Sequence, residues 1–223
     1  MAPLAPSFEE AVARVREALA ERPSRPLEVP GFRRAGVLVP ILARPEGPTL
    51  LFTRRTETVP HHKGEISFPG GGCEPRESAL AAALREADEE VGLAPAGVEP
   101  LGALDDVPSI ARYVVTPVVA AVPAPPPAFV PAEAEVSEPF ELPLARLLDP
   151  SIRRAALWDP ARLPATAAAA LLAVRVPFEE VDAATGHWRV WSFHADPARV
   201  VWGLTARVLA DLLDRAFRGD LPR

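Results

Sequence analysis

The sequence predicts an α/β fold, and three observations predict it. A run of good helix formers extends from about Ser78 to Val91. Apolar segments of strand length lie on both sides of it, from Ala35 to Ala43, Thr49 to Arg55 and Tyr113 to Val122. Amphipathic helical patterns open and close the chain. A chain of 223 residues suits one such domain with extensions rather than two independent ones. We divide it into a helical extension, residues 1–30, and a single domain, residues 31–223.

Composition narrows the function classes. Hydrophobic content of 48% and charged content of 24% are those of a soluble globular protein. The start MAPLAPSFEE lacks the basic residues and apolar run of a signal peptide, and the longest apolar run, Ala167 to Val174, is too short to span a bilayer. A cytoplasmic location with no membrane partner is the expectation. A net charge of −6 argues against a general nucleic-acid binder, which needs a basic face. Cys73 is the sole cysteine, so neither an internal disulfide nor a zinc-thiolate site can form, and nothing beside it suggests an activated thiolate.

Taken in order, Phe8 to Glu21 reads as a helix with Ala11, Val12, Val15 and Leu19 on one face, stopped by Pro23. It serves as a packing arm or as a dimer contact, a homodimer being the commonest assembly. Ala35 to Ala43 reads as a strand buried on both faces, and the turn Pro45-Glu46-Gly47-Pro48 returns the chain through Thr49 to Arg55 as a hairpin. After the central helix come strands over Val98 to Leu104 and Tyr113 to Val122, with turn acids Asp105 and Asp106 between them. Pro123 to Pro127 is a rigid connector. Ala165 to Val174 fits either a helix or a buried strand, and Val181 to Phe193 a hairpin turning at Ala184-Thr185-Gly186. A last helix is expected from about Ala198 to Arg218.

The central helix carries the chemistry. At about 100° per residue, Leu80, Leu84, Ala87 and Val91 form a stripe expected to face the core. Glu86, Glu89 and Glu90 crowd together on the opposite side at i, i+3 and i+4, with Ala79, Ala82 and Ala83 continuing that side. Acids in a last helical turn repel one another and meet the negative end of the helix dipole, so the arrangement costs stability. Arg85 can pair with Glu89 at i+4, but one arginine cannot neutralise Glu86, Asp88, Glu89 and Glu90 together. A divalent cation can, because oxygen-rich carboxylate clusters are what Mg²⁺ and Mn²⁺ bind. Gly70-Gly71-Gly72 precede the helix in a tight turn where bare backbone can approach a ligand, and Gly92 suits a left-handed cap.

Gly71, Glu77 and the ending Arg85-Glu86-Ala87-Asp88-Glu89-Glu90-Val91-Gly92-Leu93 stand at the spacing of the Nudix box, so the stretch 71–93 resembles that family of hydrolases. The segment before it is similar to the motif of members acting on coenzyme A, at Leu51, Thr53, Arg55, His62, Gly64, Phe68, Pro69, Gly70 and Gly71. It departs from that pattern at Pro60, where a second basic residue is usual. Glu135-Val136, Phe140-Glu141-Leu142-Pro143-Leu144 and Val201-Trp202-Gly203-Leu204-Thr205-Ala206 continue the likeness.

The resemblance implies an α/β/α sandwich around a mixed β-sheet and a Mg²⁺- or Mn²⁺-dependent diphosphatase. Its substrate would be coenzyme A or an acyl derivative, and its products 3′,5′-ADP and phosphopantetheine. Glu86, Glu89, Glu90 and the Gly70 carbonyl would hold metal, Glu89 or Glu135 would act as base, and Arg85 would orient the acids while Glu77 ties loop to helix. Arg55, Arg54, His62 and Lys63 are the candidates for substrate phosphates. Two alternatives stay open: another nucleoside diphosphate derivative such as ADP-ribose, a dinucleotide or an oxidised nucleotide, and a non-catalytic nucleotide sensor.

Overall fold

A computed structural model describes residues 6–56, 64–162, 182 and 184–219. Helix α1, Phe8–Glu21, begins at a Ser7 cap whose hydroxyl accepts from the Glu10 N–H while the Glu10 carboxylate accepts from the Ser7 N–H. Strands β1 (Arg33–Leu42) and β2 (Thr49–Arg55) form the expected antiparallel hairpin. Two short strands follow, β3 (Ile66–Ser67) and β4 (Gly70–Gly72), and lead into α2 (Ala79–Val91). Then come β5 (Glu99–Ala103), β6 (Val107–Pro108), β7 (Tyr113–Val122) and β8 (Val136–Pro143). The chain continues through α3 (Leu144–Leu147), β9 (Arg153–Trp158), β10 (Trp188–Asp196), β11 (Arg199–Trp202) and α4 (Gly203–Ala216).

The main sheet is mixed. Strand β1 runs parallel to β7, in register from Arg33 opposite Tyr113 to Leu42 opposite Val122, and antiparallel to β2 and β4. Both faces of these central strands are covered, which is why β1 and β7 read as unbroken apolar runs. Alternation sorts the residues: Leu38 and Leu42 of β1, Leu51 of β2 and Val118, Ala120 and Val122 of β7 pack with Ala83, Ala87 and Val91 of α2. Val39, Ile41, Leu50, Phe52 and Val119 face the other way, against Ala11 and Val15 of α1 and Leu209 and Leu213 of α4. Layers of helix, sheet and helix result. A second sheet, ordered β11-β10-β9, closes the α4 side through Phe193 and Val201.

Four features differ from the sequence expectation. The buried face of α2 is Ala82, Ala83, Ala87, Glu90 and Val91, whereas Leu80 is 39% exposed and Leu84 half-buried. The cause is Gly36 of β1. A Cβ there would overlap the Ala79 carbonyl, so the helix rides directly on the strand and only small side chains fit between them. The final helix starts at Gly203 rather than near Ala198, because Arg199–Trp202 pairs with β10 as a strand. The strand β9, absent from the sequence reading, also pairs with β10. Glu138 and Glu141, acids whose local sequence offers them no partner, are held in ion pairs by Arg199 at 2.7 Å and Arg44 at 2.6 Å. The segment expected as helix or buried strand, 165–174, lies outside the described residues. Among those residues no helix is long and apolar enough to cross a membrane.

The candidate active site

The strand β4 positions the site through its ladder. Leu38 N–H donates to the Pro69 carbonyl and Cys73 N–H to the Arg34 carbonyl, so bonding to β1 alternates and the amides of Gly70 and Gly72 are turned off the ladder. Gly70 N–H donates to the Glu90 carboxylate at 3.1 Å, and the Gly72 carbonyl accepts from Arg85 at 3.1 Å. Gly70 sits at φ +155°, where a Cβ would strike the Gly36 carbonyl and Val37. At Gly71 a Cβ would collide with the Glu86 carboxylate, so this glycine lets that acid lie against the main chain.

Arg85 organises the acids. Its guanidinium donates to Glu77 at 3.0 and 3.1 Å, to Glu86 at 2.9 Å and to Glu89 at 2.9 Å, besides the Gly72 carbonyl. Glu77 also accepts the Glu74 N–H at 2.8 Å, which ties the loop to the helix. The Arg85 hydrogen bond, foremost, with the Glu74 N–H holds the Glu77 carboxyl below its ordinary range.

The other end of α2 is closed by the segment before β8. Val130 N–H and Ala132 N–H donate to the Val91 and Glu90 carbonyls, satisfying helix-end acceptors. Thr56 N–H in turn donates to the Glu135 carbonyl at 2.9 Å. These bonds bring Glu135, just before β8, and Arg55 of β2 to the acidic end of the helix. Glu90 is buried, only 4% exposed, and burial pushes its carboxyl up to about 7. Glu86 and Glu135 raise it further, while the Gly70 N–H and Arg55 oppose the rise. Glu86 is pushed up as well, by burial first and then by Glu89 and Glu135, against Arg85.

Arg55 Nη1 lies 3.9 Å from the Glu90 carboxylate, and its buried Nε has no hydrogen-bond partner among the described residues. Buried guanidinium donors without a partner suit an anionic ligand. Arg54 points to the opposite face, because side chains alternate along β2; it donates to the Ala198 carbonyl at 2.8 Å and pairs with Glu138 at 3.5 Å. Arg54 is therefore not brought to the cluster. His62 and Lys63 lie outside the described residues. Cys73 has its thiol pushed up, by burial first and next by Glu77, in line with an unreactive cysteine. The turn acids Asp105 and Asp106 serve elsewhere, pairing with Arg22 and Arg34 at 2.7 and 2.9 Å.

Do these residues suit a divalent ion? Among the described residues no three acids converge on one point, since Arg85 supplies the countercharge and holds Glu86 and Glu89 to itself. The donor chemistry fits a hard cation nonetheless: all the groups are oxygens, two are desolvated carboxylates with raised pKa, and Glu135 adds a further negative charge. The Gly72 carbonyl and the Thr56 tether escaped sequence reasoning, since backbone bonds carry no side-chain signature.

A family model described as the NUDIX domain matches residues 32–162, more than half of the chain. The chain is 46% identical over 128 residues to a protein of Escherichia coli (strain K12) named "Uncharacterized Nudix hydrolase NudL", covering 57% of this chain and 66% of that protein. A protein of the same name from Shigella boydii serotype 18 is 45% identical over the same length. The match thus spans just under two thirds of these relatives' own length. Among solved structures, a Nudix hydrolase from M. smegmatis, RenU, aligns with 53% of this chain and 74% of its own, at 23% identity and a TM-score of 0.45. The chain belongs to the Nudix family.

Proposed function

We propose that the chain is a metal-dependent diphosphatase that hydrolyses coenzyme A or acyl-coenzyme A to 3′,5′-ADP and (acyl-)phosphopantetheine. One observation carries the reading: Arg55, from the segment that resembles the coenzyme A motif, stands 3.9 Å from buried Glu90 of the box helix, its Nε without a hydrogen-bond partner among the described residues. Glu86, Glu89 and Glu90, with the Gly70 carbonyl, would hold Mg²⁺ or Mn²⁺. When bound, such an ion supplies charge neutralisation at the diphosphate oxygens and lowers the pKa of water.

The chain's own groups do the rest. Arg55 grips a phosphate oxygen pair through its guanidinium. Arg85, anchored by Glu77, would share Glu86 and Glu89 with a bound cation and keep them oriented. Attack of water on one phosphorus breaks the P–O–P bridge and gives two phosphate monoesters, with the water proton passing to a carboxylate. Two carboxylates are available, Glu89 at 59% exposure on the helix and Glu135 on the tether to Thr56. Their separate Gln variants distinguish them, because the base variant loses its rate selectively at high pH.

A panel of coenzyme A, ADP-ribose, a dinucleotide and an oxidised nucleotide, incubated with Mg²⁺ or with EDTA, tests the substrate. Mg²⁺-dependent release of 3′,5′-ADP well above turnover of the others is the expected result. Preference for another member reassigns the substrate, and no turnover of any of them supports the sensor reading.

A further inference from the structure

A cleft of about 380 Å³ lies on the other side of the molecule, between the linker after α1, the β5–β7 region, β10 and α4. The helix α2 has no part in its walls. Its size falls within the range of small-molecule sites. Leu104, Val107, Pro117 and Val208 give it apolar surface, and Trp191 stands at its side.

The charges around it do not cancel. Four aspartates line the cleft, and each is met by an arginine: Asp105 by Arg22 at 2.7 Å, Asp106 by Arg34 at 2.9 Å, Asp211 by Arg215 at 2.7 Å, and Asp214 by Arg153 at 2.6 Å. Four arginines thus balance four acids. Arg25, Arg189 and Arg207 also line the cleft, and of these the guanidiniums of Arg25 and Arg189 hold no hydrogen bond or ion pair among the described residues. Arg25 is fixed through its backbone, whose N–H donates to Asp105 at 2.9 Å, leaving the side chain to the cleft. Arg189 leans over the Trp191 ring at 5.8 Å and has Asp182 within electrostatic reach only. In a chain of net charge −6, two guanidiniums that hold no hydrogen bond or ion pair among the described residues, set over an apolar floor, mark an anion site.

We propose that this cleft is a second ligand site, separate from the carboxylate cluster, and that it takes a small phosphorylated anion held between Arg25 and Arg189. The cleft is walled by the α1 linker, β10 and α4 together, so a bound anion would touch all three. The proposal is independent of the substrate of the carboxylate site.

Titration calorimetry in EDTA, with pyrophosphate and ADP as probes and adenosine as control, tests it on the full chain. The expected result is one site for ADP and pyrophosphate, none for adenosine, at least tenfold weaker binding in the R25A/R189A double variant, and unchanged affinity in R55A. The R25E variant, which leaves Trp191 untouched, should weaken binding as much, with circular dichroism matching wild type. No binding in EDTA overturns the proposal. So does binding lost in R55A but kept in R25A/R189A, which places the probe at the carboxylate cluster, and so does adenosine binding as well as ADP.

Discussion

At the scale of single residues, position on a strand decides role. Arg54 and Arg55 are neighbours of the same type, yet one is consumed by Glu138 and the Ala198 carbonyl and the other reaches Glu90. Replacing Arg55 with Lys keeps the charge but removes the planar fork, so kcat/KM should fall about 10- to 100-fold, roughly 1.4–2.7 kcal/mol. Steady-state kinetics with the diphosphate substrate checks it. Asp105 gives the acid counterpart. Burial alone would raise its carboxyl, but the Arg215 hydrogen bond and the Arg25 N–H outweigh that and hold it below its ordinary value. A depressed carboxyl stabilises the fold above the unfolded value and loses that contribution as pH falls through the folded one. D105N should therefore cost about 1–3 kcal/mol at pH 7, and the gap should close below about pH 4 in denaturant titrations. The sequence reading kept Arg54 and Arg55 together as phosphate candidates, although strand alternation, with Leu51 sharing the parity of Arg55, already puts them on opposite faces. The partners of Glu138 and Glu141 were not legible, because both lie far away in sequence.

At the scale of elements, α2 shows how small residues mislead. The stripe of Leu80, Leu84, Ala87 and Val91 carries more hydrophobicity than Ala82, Ala83 and Ala87, yet the alanines are buried. Close approach over Gly36 selects against bulk, and the signal was a glycine in the middle of an apolar strand. G36A should push α2 off β1, destabilise the protein by about 1–3 kcal/mol and displace Glu86 and Glu90 with the helix. Denaturant unfolding reads the first effect and kcat the second. The ends of α1 were legible from its helical periodicity, and strands β2 and β7 from β-rich apolar runs of strand length. Strand β11 was hidden, since Val200 and Val201 continue an apolar pattern that also fits the helix after them.

At the scale of the whole molecule, the sheet gathers three separate segments onto one end of α2: β4 with Gly70, β2 with Arg55, and the approach to β8 with Glu135. Half-buried Glu86 and buried Glu90, with their raised carboxyls, make that end a source of instability that a bound cation would relieve. Binding to the folded state alone stabilises by about 2.7 kcal/mol at one hundred times Kd. Mg²⁺ should accordingly raise the melting temperature by roughly 5–10 °C for a chain of this size, and EDTA should reverse the gain. The box in the sequence pointed to this candidate site; its tethers through Thr56, Ala132 and the Gly72 carbonyl became visible only in the folded backbone.

The most direct test replaces Glu90 with Gln and follows turnover against Mg²⁺ concentration. This change removes the charge and almost no volume. Loss of metal-dependent turnover by about 100-fold or more, with circular dichroism unchanged, is the predicted result, corresponding to roughly 2.7 kcal/mol of transition-state stabilisation. Full activity of E90Q in Mg²⁺ would contradict the assignment of the α2 carboxylates as the metal site.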